Sequence, residues 1–138
     1  MRQDRTTSYA KSVVNGKKIA GRKEFLACKR HLDDLKRKKF EFKFDVEEAE
    51  FAIDFANILI MKDGKPLKTR GFQEFIIGSL HGWRRKRTKE RRFREAYIQV
   101  GRRNGKSFLS GEQATFFSSY LGMKDRIFCA ATKQEQAN

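Results

Sequence analysis

Gly105, Lys106 and Ser107 are the residues of this chain whose types and order could do chemistry, and that chemistry is phosphate binding. A loop that holds a nucleoside triphosphate needs small residues, so that successive backbone N–H groups can turn inward around phosphate oxygens. It needs a helix starting at that point, with the positive end of its dipole facing the anion. It also needs a lysine to reach the β- and γ-phosphates, and a Ser or Thr hydroxyl to ligate Mg²⁺. The run Val100, Gly101, Arg102, Arg103, Asn104, Gly105, Lys106, Ser107 meets these needs with one irregularity. The standard pattern puts its first glycine at position 100, where this chain has valine, and Gly101 stands one residue too close. Arg102 and Arg103 would burden a purely structural turn with charge. They make sense against a triphosphate, where one of them would stabilise the charge developing on the transferred phosphoryl group. The plain alternative is a glycine turn with an exposed lysine. Upstream, Gln73 carries an amide that donates and accepts together and can read both polar edges of adenine. A surface glutamine on a helix is the alternative there.

Such a loop must be held between a strand and a helix. Residues 95–100, whose apolar members include Tyr97, Ile98 and Val100, suit a buried strand before it. Residues 106–121 suit the helix after it, with Phe108, Leu109, Phe116, Phe117 and Leu121 for packing and Gly122 as its stop. A second short strand is predicted at 126–131, and Thr132 with Glu135 forms a capping box for a further helix. Strand, helix, strand in that order implies a parallel sheet. The regions before it read as helical. Residues 6–14 form a short helix ended by Asn15 and Gly16. Residues 22–38 form a second, with Phe25, Leu26, Cys28, Leu32 and Leu35 as its apolar positions. Phe40, Phe42 and Phe44 alternate with charges, as an extended segment does. Residues 45–62 form a helix capped by Asp45, with Phe51, Ala52, Phe55, Ile58 and Leu59 as the apolar stripe, and a turn follows at 63–66. Residues 72–83 are a short apolar helix, and 84–94 a hairpin-like run with eight Lys or Arg. The fold class is therefore α/β: a helical N-terminal lead-in over 1–70, then the start of an incomplete P-loop NTPase parallel sheet over 71–138.

Thirty-two Lys and Arg face seventeen Asp and Glu, giving a formal net charge of +15 over 138 residues. Charged residues make up 36% of the chain, against roughly a quarter in an average soluble protein. That balance implies a polyanionic partner, with nucleic acid the commonest, or else a solvated face serving solubility. Cys28 and His31 could share a helical face, but two ligands are too few for a zinc site, and Cys129 lies far along the chain. The chain has no apolar run of membrane-spanning length and no signal core, so a reducing, intracellular setting is expected.

Taken together, these residues resemble the large subunit of tailed-bacteriophage terminases, the ATPase and nuclease that packages DNA into the capsid. The likeness runs through residues 9–21 (YAKSVVNGKKIAG) with 27–35 (ACKRHLDDL), 71–83 (GFQEFIIGSLHGW), 92–107 (RFREAYIQVGRRNGKS) and 129–137 (CAATKQEQA). Its most specific part is the loop, because terminases use this shorter form with a leading arginine. By that resemblance Lys106 and Ser107 hold the phosphates and Mg²⁺ of bound ATP, Gln73 contacts adenine, and Arg102 serves phosphoryl transfer. Gly101 stands where the family would have proline. The resemblance implies partners as well: double-stranded DNA, a terminase small subunit, the capsid portal and a homo-oligomeric ring, in the cytoplasm of an infected bacterium. The Asp-Glu strand motif, the coupling motif and the nuclease's acidic cluster do not follow Ser107, so the chain is read as an N-terminal part with little hydrolysis of its own. Two other readings stay open: a small basic nucleic-acid-binding protein whose Gly-Lys-Ser is incidental, and another P-loop enzyme such as a helicase or small-molecule kinase.

Overall fold

The computed structural model describes residues 4–60 and 63–120, which hold five helices and one two-stranded antiparallel sheet, a mixed α/β arrangement. They divide into two compact units, residues 1–99 and 100–138. In the first, α1 (Arg5–Val14) starts where Asp4 Oδ1 accepts from the Thr7 N–H at 2.9 Å, and stops at Asn15 ahead of Gly16, whose φ is +71°. It packs on α2 (Arg22–Leu35) and on α4 (Gly71–Gly82), and α3 (Val46–Ile58) packs on α4. Asp45 caps α3 as predicted. Strand β1 (Phe42–Phe44) lies antiparallel to β2 (Trp83–Arg85), with Phe42 opposite Arg85 and Phe44 opposite Trp83. At the turn before α4, Asp63 Oδ1 accepts from the Lys65 N–H and Gly64 takes φ +76°.

Two predicted stripes are only partly the buried ones. On α3 the buried side chains are Ala49, Glu50, Ala52, Ile53 and Ala56, while Phe51 and Ile58 are 38% and 69% exposed. The cause is close approach. A Cβ placed on Gly82 of α4 would stand 2.5 Å from the Phe44 ring and 2.8 Å from the Ala49 Cβ, and one on Gly78 would meet Thr6 and Ile53. Small residues are what let these surfaces meet, and their periodicity is easily outshone by phenylalanines on a neighbouring face. On α2, Cys28 is buried as expected, but Phe25, Leu26 and Leu35 are exposed, and His31 and Asp34 are buried beside Cys28.

Those polar residues are tolerated inside because they are answered. The Trp83 indole N–H donates to His31 Nδ1 at 3.0 Å, so the ring proton sits on Nε2 and faces Thr7 Oγ1 at 2.9 Å. Phe44, Phe75 and Trp83 meet the same imidazole edge-on. Burial lowers its pKa to about 4, against small opposing pulls from Asp4 and Asp34, so it is neutral. Both ring nitrogens are committed, which disposes of His31 as a metal ligand beside Cys28. Arg5 ties α1 to the other helices: its N–H and Nε donate to Glu50 at 2.8 and 2.7 Å, and its guanidinium also reaches Asp54 and Glu74.

The run 84–94 is hairpin-like, as predicted: the Lys89 N–H donates to the Arg85 carbonyl, and the Arg85 N–H to the Glu90 carbonyl. Several of its cations hold the fold. Arg92 donates to Asp34 Oδ2 at 2.7 Å, with its guanidinium carbon 4.9–5.2 Å from the ring centroids of Phe40, Phe42, Trp83 and Phe93. Burial acts against a charge on Asp34, but Arg92 and then Arg37 hold its carboxyl below the ordinary range.

In the second unit the described residues form a turn and α5 (Lys106–Ser119), close to the predicted span. The strand expected at 95–100 does not form, and Tyr97 is 84% exposed. A parallel strand is stabilised by a neighbour on each side and by cover on both faces, which local sequence cannot supply. The second predicted strand, Leu121, Gly122 and the capping box at Thr132 lie outside the described residues.

Candidate nucleotide-binding site

The loop is built by two left-handed residues around an asparagine. Arg103 has φ +62°, and Gly105, the residue before α5, has φ +77°. Glycine takes that conformation freely, whereas arginine does so at a cost of about 1–2 kcal/mol. Between them the Asn104 amide donates to the carbonyls of Gly101 (3.3 Å) and Arg102 (3.2 Å), drawing the turn closed. A Cβ at Gly101 would lie 3.2 Å from that amide nitrogen. Glycine leaves room for this closure at the position where the family resemblance implies proline.

Helix α5 starts with no side-chain cap, so the N–H groups of its first turn point out of the helix end unsatisfied by the preceding residue. Lys106 and Ser107 occupy that turn and are exposed, as are Gly101, Arg102 and Arg103, while Asn104 and Gly105 are half-buried. The structure thus brings residues 101–107 together as one cationic turn at a helix N-terminus. A cationic turn at a helix N-terminus is an arrangement that suits an anion. Ser107 offers one hydroxyl to a metal, and no group of three or more His, Cys, Asp or Glu that could hold one occurs among the described residues. Mg²⁺ fits such a turn in the way it fits a nucleotide's phosphates, with most ligands coming from phosphate and water.

Gln73 belongs to the first unit and is 6% exposed. Its Oε1 accepts from the Arg70 N–H at 2.8 Å, capping the start of α4. It is therefore neither a surface glutamine nor an amide held in reserve.

Reasoning on the sequence passed over Glu112. It sits on α5 between Leu109 and Phe116, and these three are the helix's buried residues. Burial pushes its carboxyl up to about 7, with a smaller opposing effect from the Gln113 amide, which donates to Oε2 at 2.6 Å. Oε1 has no hydrogen-bond partner among the described residues. The signal was spacing: 109, 112 and 116 share one helical face, and only the two apolar members were counted.

Residues 71–138, from the first residue of α4 onward, match the family model of the terminase large subunit, ATPase domain. The match supports this segment as part of a terminase large subunit. The match takes in α4, the basic hairpin, the loop and α5 of the terminase segment, while α1 to α3 precede it. Searches among curated proteins and among solved structures each found no match. No helix among the described residues is long and apolar enough to cross a membrane.

Proposed function

We propose that residues 101–107 bind ATP with Mg²⁺, and that the chain is the ATP-binding segment of a DNA-packaging motor of tailed bacteriophages. The observation that carries the reading is the pair of left-handed residues, Arg103 and Gly105, leading into an uncapped α5 whose first turn exposes Lys106 and Ser107. In this reading Lys106 reaches the β- and γ-phosphates, and Ser107 lends its hydroxyl to Mg²⁺. The backbone of Gly101, Asn104 and Gly105 shapes the cradle, and Arg103 sits beside the phosphates. Arg102 stabilises charge on the transferred group. Gln73 enters by resemblance, and an adenine contact would have to share its amide with the α4 cap. Residues 95–100 become a strand once a parallel sheet is assembled around them. In the complete protein ATP hydrolysis drives movement of duplex DNA, within a homo-oligomeric ring that meets a small subunit and the capsid portal in the host cytoplasm.

The test is titration of labelled ATP·Mg²⁺ into the purified chain beside Lys106→Ala. Saturable binding that the variant abolishes supports the reading. Equal binding by both, or none by a demonstrably folded chain supplied with its downstream sequence, removes it. Omitting Mg²⁺ sharpens the assignment: the metal-dependent gain in affinity should shrink in Ser107→Ala.

A further inference from the structure

We infer that the first unit carries a contact surface for the phosphate backbone of duplex nucleic acid, formed by residues 36–39 and the hairpin tip 85–89. The inference goes beyond the nucleotide loop and does not depend on it.

The fold divides the cations of this region into two sets. Arg37, Lys43, Arg84, Arg85 and Arg92 each lie against a carboxylate: Asp34, Asp45, Glu48, Glu41 and Asp34. Lys36, Lys38, Lys39, Lys86 and Arg87 are exposed and form no ion pair among the described residues. The two stretches that carry this second set are joined. The Lys86 N–H donates to the Glu41 carbonyl at 2.8 Å, Phe42 pairs with Arg85 across the sheet, and Arg37 lies 4.4 Å over the Phe40 ring. An open concavity of about 710 Å³ is lined by Glu41, Arg85, Lys86, Arg87 and Thr88. A rigid two-stranded ladder thus presents cations gathered from two distant parts of the sequence.

The composition of the surface favours one partner. Single strands are held by aromatic rings that stack on bases. Here the Phe40 and Phe42 rings are half-buried and each already has two guanidinium groups against it, from Arg37, Arg85 and Arg92, which leaves them poor stacking platforms. An acidic protein partner would be anchored by buried apolar or aromatic side chains. The exposed large apolar side chain next to this surface in sequence is Leu35, 42% exposed. Uncommitted cations without stacking rings or a substantial apolar anchor suit a sequence-independent phosphate backbone.

The experiment measures binding of the full chain, without nucleotide, to a labelled duplex of about two helical turns over a salt series. One variant joins Lys38→Glu, Lys39→Glu, Lys86→Glu and Arg87→Glu. A charge-matched control joins Lys17→Glu, Arg22→Glu, Lys23→Glu and Lys68→Glu. A milder version of the first uses Gln in place of Glu, and unchanged melting curves show that the fold is kept. The surface variant should bind roughly tenfold or more weakly at moderate salt, and its salt slope should fall by about 3 to 4, the loss expected for four phosphate contacts. The control should keep most of the slope. Equal losses in both variants overturn the inference, since they report net charge alone. It is also overturned by tighter binding of the single strand than the duplex, or by unchanged duplex binding while binding to polyglutamate is lost.

Discussion

The two units handle buried charge in opposite ways. In the first, Asp34 and Glu50 each meet an arginine, and both nitrogens of His31 are engaged by groups from α1 and β2. In the second, Glu112 is 1% exposed and among the described residues meets the amide of its chain neighbour Gln113 through one oxygen, the other having no partner there. A buried polar group stabilises a fold when its partners come with it, and strains the fold when they do not. The first unit therefore answers its buried carboxylates and His31 from within, although Thr6 Oγ1, Ser79 Oγ and Arg84 Nε have no hydrogen-bond partner among the described residues, while in the second it is a carboxylate oxygen, Glu112 Oε1, that is left without one. Opposite pH dependences should follow.

The hardest blow to that contrast is His31→Ala. It removes two buried hydrogen-bond partners and leaves the Trp83 indole and Thr7 hydroxyl facing a void, a loss of about 3–5 kcal/mol. Hydrogen exchange should show protection falling in α1, α2 and α4. If α5 loses protection equally, the units are not independently stable and the comparison fails.

Acid provides the next test. In the folded chain His31 protonates near 4, against an ordinary value of 6.5, so between those limits the unfolded chain binds the extra proton. Stability from this group is complete above about 6.5 and falls by about 3 kcal/mol as the pH drops to 4. Denaturant titrations of wild type and His31→Gln across that window measure the term, which should be absent in the variant.

Glu112 has the reverse sign. Its folded value near 7 lies above the ordinary 4.5, so the folded chain keeps the proton longer and stability falls as the pH rises from 4.5 to 7. Glu112→Gln should raise stability by about 2–3 kcal/mol at pH 8 and change little at pH 4. A pH-independent effect would mean that Glu112 is paired when ionised. Smaller still is Arg92→Lys, expected to lower stability by about 1–2 kcal/mol, because an ammonium cannot both stack on the rings and direct a planar N–H at Asp34. Gly105→Ala should weaken α5 by about 1 kcal/mol through its left-handed φ, read as faster exchange in its first turns.

Much of the local structure was legible before any coordinates. Asp45 as a cap, the stops at Asn15 and Gly16, the extended phenylalanines and the start of α5 at Lys106 all rest on short-range rules that need no tertiary partner. The buried faces read correctly on α5, where Leu109 and Phe116 are inside, but only in part on α2 and α3. On α3 the alanines won over Phe51 because α4 approaches closely at Gly78 and Gly82, a fact about two helices together. On α2, His31 and Asp34 are inside because Trp83 and Arg92, more than fifty residues away, answer them. Residues 95–100 failed as a strand for the same reason, since pairing is non-local. Residues 101–107 form a turn leading into α5, with left-handed residues at Arg103 and Gly105.

The partners that close the first unit, Thr7, His31, Trp83, Arg5, Glu50, Asp34 and Arg92, all precede residue 100. Domains fold as units during synthesis, the N-terminal one first, as the chain emerges at about 5–20 residues per second. Translation can thus deliver a finished helical body, its basic hairpin already displayed, while residues 101–107 are still emerging behind it.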